Sequence, residues 1–428
     1  MSDTHCELSA SPMGRRSFLA LTATATAGMA SMMLGCSASA DDGAHGDGTS
    51  ADADNPGSSG SEPATVVDQS DRAAKAPSAL DQEVERLLAG MDSYQKVCQL
   101  FFVRPESITG VGQAIQAGEG TREALATYPV GGIAYFAQNI VDETQFRTLV
   151  TGTAAMAGEV PLWFGIDEEG GPLVARIANS GCFDVPQLPE MAEIGASGDP
   201  EMARQAGATI GTYLADLNIS VDFAPVADVL VDPASIMAGR AFSDDPEVAA
   251  SMVAAFVEGM QSCGVCATAK HFPGHGATEA DSHTGAAVSM RTLDELRSCE
   301  FLPFKAAIDA GVSLVMVGHI STPVASGEDI PATLSPVAIT DWLRGELGFD
   351  GVVVSDAMEM EAVNQLMDSA GVACAFIRAG GDMILMPADF GQALQGVLDA
   401  VASGAITEDR LDESVRRILR AKLAGHVE

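Results

Sequence analysis

The sequence predicts an α/β fold, a single-domain (β/α)8 or TIM barrel, on three observations. Eight apolar runs long enough for strands recur between residues 97 and 385, and helical patterns separate most of them. Most runs are continuously apolar rather than alternating, as expected of parallel strands covered on both faces. Polar residues follow the carboxyl ends of several runs: Asp167 after the third, Lys270 after the fifth, His319 after the sixth and Asp356 after the seventh. Barrels place their pockets at that end of the sheet, and random surface polarity would not track it. A doubly wound open sheet is the main competitor, but no GxGxxG follows the first run and no P-loop occurs.

In chain order, residues 1–36 stand apart from the fold. Arg15-Arg16-Ser17-Phe18-Leu19 opens a short apolar run reaching Leu34, the pattern of a Tat-type export signal. The run is too short and too weakly apolar to favour a membrane span, which takes about 20 apolar residues. Met33-Leu34-Gly35-Cys36 resembles a bacterial lipobox, with Met in place of the commoner leucine. Cys36 is therefore expected to carry lipid after cleavage and to anchor the exported chain at the outer face of the cytoplasmic membrane. A plain cleaved signal and an uncleaved anchor are the alternatives.

Residues 37–79 are expected to form a disordered tether. From Ser37 to Thr65 there is no Leu, Ile, Val, Met or aromatic residue with which to bury a core. A flexible coil of some 40 residues spans on the order of 35 Å, enough to hold a domain clear of a bilayer. Residues 80–428 are expected to form the barrel domain. Its first helix is marked by Val84, Leu87, Leu88 and Met91 at i, i+3, i+4 and i+7. The eight predicted strands are Val97–Val103, Val130–Phe136, Leu162–Ile166, Ile219–Phe223, Val265–Ala269, Val312–Val317, Val352–Val354 and Met383–Leu385. Further helices are predicted at 201–216, 246–261, 293–310, 335–346, 390–402 and 408–423.

A formal net charge of −36 opposes binding to nucleic acid and to anionic lipid head groups, and does not bear on a neutral ligand. Of eight cysteines, Cys6 and Cys36 lie in the signal, and the spacing of the other six suggests no disulfide framework. Cys263-Gly264-Val265-Cys266 is read as buried structural thiol rather than as a redox pair or half of a zinc site.

The densest chemistry lies in Lys270-His271-Phe272-Pro273-Gly274-His275-Gly276, followed five residues later by Asp281-Ser282-His283. His271, His275, His283 and Asp281 are plausible zinc ligands by type. However, Pro273 and Gly274 disfavour a helix between His271 and His275, and only a helix would align that pair. No metal and no cofactor is expected.

These residues resemble the family 3 glycoside hydrolases, in particular the single-domain β-N-acetylhexosaminidases that use a His-Asp pair on a mobile loop as acid/base. Ile166-Asp167-Glu168-Glu169-Gly170-Gly171, Asp222-Phe223-Ala224-Pro225-Val226, Gly239-Arg240-Ala241-Phe242, Pro331-Ala332-Thr333-Leu334-Ser335 and the run from Gly348 to Asp356 are similar to family signatures and occur in family order. The resemblance covers roughly residues 80 to 425.

The resemblance implies Asp356 as nucleophile, where position alone would favour a helix N-cap. It implies His283 as acid/base, oriented by Asp281, and Asp167, Arg240, Lys270 and His271 as sugar contacts. Arg176 belongs with them, although it lies nine residues after Asp167 where the family has eight. Glu168 and Glu169 are expected to brace the loop, and Asp228, Asp232, Asp244 and Asp245 to be solvated or capping. The implied activity is that of a retaining exo-β-N-acetylhexosaminidase releasing terminal N-acetylglucosamine from cell-wall or related glycans, with phosphorolysis as a side activity. The alternatives are a β-glucosidase of the same family and a non-catalytic sugar-binding lipoprotein. The two-domain β-glucosidases take their acid/base from a second domain, for which no room is expected after Glu428.

Overall fold

The structure, a computed structural model, describes residues 78–278 and 287–424. The predicted signal, the tether up to residue 77, Cys36, Asp281 and His283 lie outside the described residues. Ser78 caps the first helix, Ala79–Gly90, by accepting from Asp81 N, while the Asp81 carboxylate receives Ser78 N. This capping box starts the folded domain at Ser78, inside the segment assigned to the tether.

Eight parallel strands form the barrel: β1 Phe101–Val103, β2 Gly132–Ala134, β3 Trp163–Ile166, β4 Val221–Asp222, β5 Cys266–Phe272, β6 Leu314–Val317, β7 Val352–Ser355 and β8 Ile384–Leu385. The hydrogen-bonded order runs β7-β6-β5-β4-β3-β2-β1-β8. The ring closes between β7 and β8, where Val354 bridges Met383 in parallel register. At this seam Asp382 N and Met383 N both donate to Val353 O, at 2.9 and 3.0 Å, and Ser355 N donates to Met383 O at 3.0 Å. The chain thus has the predicted barrel.

All eight strands depart from their expected bounds by at least one residue, and two of the departures, in β1 and β5, have an identifiable cause or consequence. Residues 97 to 99 are helical because Asp92 and Gln95 form a capping box that starts a helix at Ser93–Gln99, leaving only Phe101–Val103 as strand. At the other extreme β5 runs on to Phe272, so Lys270 and His271 project from the sheet and not from the loop beyond it. The predicted helix over 293–310 is broken into Leu293–Ser298 and Phe301–Asp309, and the one near 335–346 is wound as a π-helix at Val337–Glu346.

The barrel interior is filled by aromatic side chains. Phe102 and Phe223 meet edge to face with centroids 5.4 Å apart. Small residues on β2 and β3 make room for them: a Cβ at Gly132 would lie 2.7 Å from the Phe102 ring, and one at Gly165 would lie 2.6 Å from it. On β7, Val352, Val353 and Val354 are each fully buried, worth about 1.5–3 kcal/mol apiece. That burial fixes the strand whose end carries Asp356.

Candidate active site

Asp356 is held by the strands on either side of β7. Its backbone N donates to Val317 O at the end of β6 at 2.9 Å, while the preceding Ser355 Oγ accepts from Leu385 N of β8 at 3.0 Å. The carboxylate accepts from Ala357 N at 2.7 Å. The next helix, Glu361–Asn364, begins at the Met360 cap, so Asp356 does not cap a helix. Burial works against ionisation of this carboxyl, but His271, His319, the Ala357 N–H and Lys270 outweigh it and hold Asp356 below the ordinary carboxylate range.

A cavity of about 310 Å³ lies at the carboxyl ends of the strands, and Asp356, Asp167, Arg176, Arg240, Lys270 and His271 all line it. Every predicted site residue within the described region is therefore brought to one place. Lys270 Nζ donates to Asp167 Oδ1 at 3.0 Å, and Arg176 approaches the other Asp167 oxygen at 3.8 Å. Among the described residues, no cluster of three or more His, Cys, Asp or Glu side chains could hold a metal ion.

Glu169, expected to brace the loop, is instead the hub of the cavity floor. It receives Arg240 Nε at 2.8 Å and Nη2 at 2.7 Å, and pairs with Lys270 Nζ at 2.6 Å. Burial would raise its carboxyl, yet Lys270 and Arg240 pull it down to about 2. Bracing falls to Glu168 alone, which accepts from Ile177 N, Ala178 N and the Tyr213 hydroxyl at 2.7, 2.9 and 2.8 Å. The signal for this division was alternation. In extended backbone Asp167 and Glu169 point to one side and Glu168 to the other.

Asp228 corrects a second expectation. Far from being solvated, it is 1% exposed and receives three N–H groups of the motif that follows β4 in space: His271 Nδ1 at 2.8 Å, His275 N at 2.7 Å and His271 N at 3.3 Å. With Nδ1 turned to Asp228, Nε2 is the nitrogen His271 has left for the cavity. Asp228 sits inside the apolar run Val226-Ala227-Asp228-Val229, all of it buried. An acid in such a run needs partners, and that pattern was the overlooked sign.

The His275 ring packs against His271 with centroids 5.7 Å apart, and burial and the charge of His271 both lower its pKa. Its Nδ1 lies 2.5 Å from Thr278 Oγ1, at the last described residue before the segment containing Asp281 and His283. Past that segment, Ala287–Val288 pairs in parallel with Ile320–Ser321, just after β6. Both roots of the segment are thereby fixed at the carboxyl end of the barrel. His319, fully buried, bonds Thr333 Oγ1 at 2.6 Å and Ala357 O at 3.0 Å, tying the β6 end to the residue after Asp356.

Arg104, at the end of β1, also lines the cavity. It pairs with Glu359 and lies over the Phe136 ring at 5.1 Å, with Arg176 over the same ring at 5.8 Å. Looking for a polar residue after every strand, the reasoning that found Asp167, would also have found it.

Three comparisons place this geometry among known proteins. Residues 94–421 match the glycosyl hydrolase family 3 N terminal domain. A β-hexosaminidase of Stenotrophomonas maltophilia (strain K279a) is 37% identical over 269 residues, which cover 62% of this chain and 78% of that one. A β-N-acetylglucosaminidase/β-glucosidase of Cellulomonas fimi is 33% identical over 365 residues, 81% of this chain and 61% of that one. The solved family 3 β-N-acetylglucosaminidase of Paenibacillus sp. str. FPU-7 superposes with a TM-score of 0.72 at 37% identity, covering 78% of this chain and 62% of its own. The chain thus spans about three fifths of the last two relatives. The matched length, the closed barrel and the cavity at its carboxyl end agree, and the chain belongs to glycosyl hydrolase family 3, as a glycoside hydrolase.

Proposed function

We propose that the protein is a retaining exo-β-N-acetylhexosaminidase that removes terminal N-acetylglucosamine from a glycan through a covalent glycosyl-enzyme. The observation that carries this reading is the carboxylate of Asp356, kept ionised in the same cavity as Asp167, Arg176, Arg240, Lys270 and His271. In this scheme Asp356 attacks the anomeric carbon while His283, oriented by Asp281, protonates the leaving oxygen and then takes a proton from water. Asp167, Lys270 and His271 hold ring hydroxyls, and Arg240 and Arg176 help to seat the sugar. The carboxylates Asp167, Glu169 and Asp356 balance the cations Arg176, Arg240 and Lys270 in the cavity, which suits an uncharged sugar.

The relatives named β-hexosaminidase and β-N-acetylglucosaminidase support the acetamido sugar. The dual name of the Cellulomonas fimi relative keeps a β-glucosidase as the second reading. The deciding experiment compares kcat/KM for 4-nitrophenyl N-acetyl-β-glucosaminide and 4-nitrophenyl β-glucoside. The acetamido substrate is expected to be preferred by about tenfold or more, the scale on which one or two added contacts discriminate. A preference for the glucoside reverses the assignment, and no release from either returns the chain to sugar binding without turnover.

Two variants probe the roles. His283→Ala is expected to slow cleavage of an unactivated disaccharide by about 10²- to 10⁴-fold, and to slow a 2,4-dinitrophenyl glycoside far less because that leaving group needs no proton. Equal losses on both substrates would remove His283 from acid catalysis. Asp228→Asn is expected to lower kcat/KM by about 10- to 100-fold, the cost of charged hydrogen bonds to His271 and the root of the acid/base segment. Thermal unfolding run in parallel separates that loss from misfolding.

A further inference from the structure

The barrel hides one lysine at each end. Lys270 and Lys422 are both 3% exposed, but their surroundings are opposite. Lys270 has Glu169 at 2.6 Å and Asp167 at 3.0 Å; burial opposes its charge, and these carboxylates more than restore it. Lys422, in the last turn of the helix Glu408–Leu423, has no carboxylate within ion-pair distance among the described residues. Its Nζ donates to Gln99 Oε1 at 2.9 Å and lies 5.6 Å from the centre of the Trp163 ring. The other described lysines are all paired: Lys96 with Asp412, Lys270 as above, and Lys305 with Asp309.

Lys422 also lines a cavity of about 570 Å³, within the usual size of a small-molecule site. Trp163 and Cys266 are the first residues of β3 and β5, and Ser220 and Ser313 immediately precede β4 and β6. All four line the cavity, which therefore lies at the amino-terminal mouth, opposite the proposed active site. Two hydroxyls and the carboxylate that line the cavity are committed elsewhere. Ser313 Oγ donates to Gln261 Oε1 at 2.7 Å, Ser220 Oγ receives Phe164 N at 2.9 Å, and Glu159 on the rim pairs with Arg86 at 2.8 Å.

We propose that Lys422 is the nucleophilic amine of a second small-molecule site, at the amino-terminal mouth of the barrel, which takes small carbonyl compounds as reversible imines. The Nζ lone pair adds to the carbonyl carbon, the carbonyl oxygen leaves as water with the two amine protons, and C=N replaces C=O. No oxidant or reductant enters. A simple anion is the poorer fit. It would meet a single lining cation, on a chain of net charge −36. Burial lowers the Lys422 ammonium to about 7, so the free amine is present at neutral pH. The neighbouring Cys266 thiol is pushed by burial up to about 11 and stays protonated, leaving the amine as the nucleophile.

The test uses the full chain at pH 7 with benzaldehyde as probe and sodium cyanoborohydride to trap the imine, followed by Glu-C digestion and mass spectrometry. Lys422 is expected to gain the benzyl group at least about tenfold faster than Lys305, whose ammonium is held in an ion pair with Asp309. Lys422→Met should lose that adduct while glycosidase activity persists. Labelling of Lys422 no faster than that of Lys305 overturns the proposal. This comparison is made on the unmodified protein, so it stands even where Lys422→Met fails to fold. It is also independent of whether the substrate is an acetamido sugar.

Discussion

Asp356→Asn is expected to lower kcat/KM for 4-nitrophenyl N-acetyl-β-glucosaminide by about 10³-fold or more, equivalent to about 4 kcal/mol of transition-state stabilisation. The amide keeps the shape of the carboxylate and can still accept from Ala357 N. What it lacks is the negative charge that attacks the anomeric carbon, so the loss should fall on kcat, with the fold and the thermal midpoint largely retained. Asp356 is buried against His271 and His319, whose positive character favours its ionised form. Because the folded carboxyl titrates below its ordinary value, the nucleophile stays ionised through the neutral range. Activity is lost only as pH falls through that depressed value, which puts this acid limb below the ordinary aspartate range. Equal turnover by wild type and Asp356→Asn would sink the nucleophile assignment, and an acid limb near neutrality would mean that another group governs it.

The barrel was legible because most of its strands are apolar runs buried on both faces, a pattern that needs no tertiary information. Strand ends were less so. Val97 and Cys98 read as strand by composition, and only the Asp92–Gln95 capping box turns them into helix. In the cavity, Asp167, Arg240, Lys270, His271 and Asp356 could be named because they end strands or stand in recognisable motifs. Glu169 and Asp228 were misjudged for a common reason. Carboxylates are usually exposed, and the exception depends on cations and N–H groups from distant segments: Lys270 and Arg240 for Glu169, and the backbone of the His271–His275 loop for Asp228. Such partners are separated in sequence by tens of residues. Only the folded chain brings them together.

The second large effect is expected at Glu169. Glu169→Gln leaves Lys270 and Arg240 side by side with one carboxylate fewer, in a site where Glu169 is 2% and Lys270 3% exposed. Removing one partner from a buried ionic cluster typically costs about 3–5 kcal/mol, because the remaining charges stay desolvated. Chemical unfolding should show a loss of that order. The variant should also raise KM, because Arg240 and the Lys270 ammonium lose the anchor that aims them into the cavity. The pH dependence gives the discriminating sign. The Glu169 carboxyl titrates at about 2 in the folded chain and near ~4.3 when unfolded, so its contribution is complete above the unfolded value and is lost as pH falls toward the folded one. The stability gap between wild type and Glu169→Gln should therefore be widest at neutral pH and narrow between about pH 5 and pH 2. Lys270 has the opposite linkage: its raised folded value makes its contribution present below the unfolded lysine value and lost only as pH rises through the folded one, outside this window. A gap that stays constant down to pH 2 would show that Glu169 holds the loop by shape alone. A narrowing gap accompanied by raised KM makes one buried carboxylate responsible both for the stability of the cavity floor and for the aim of its two cations.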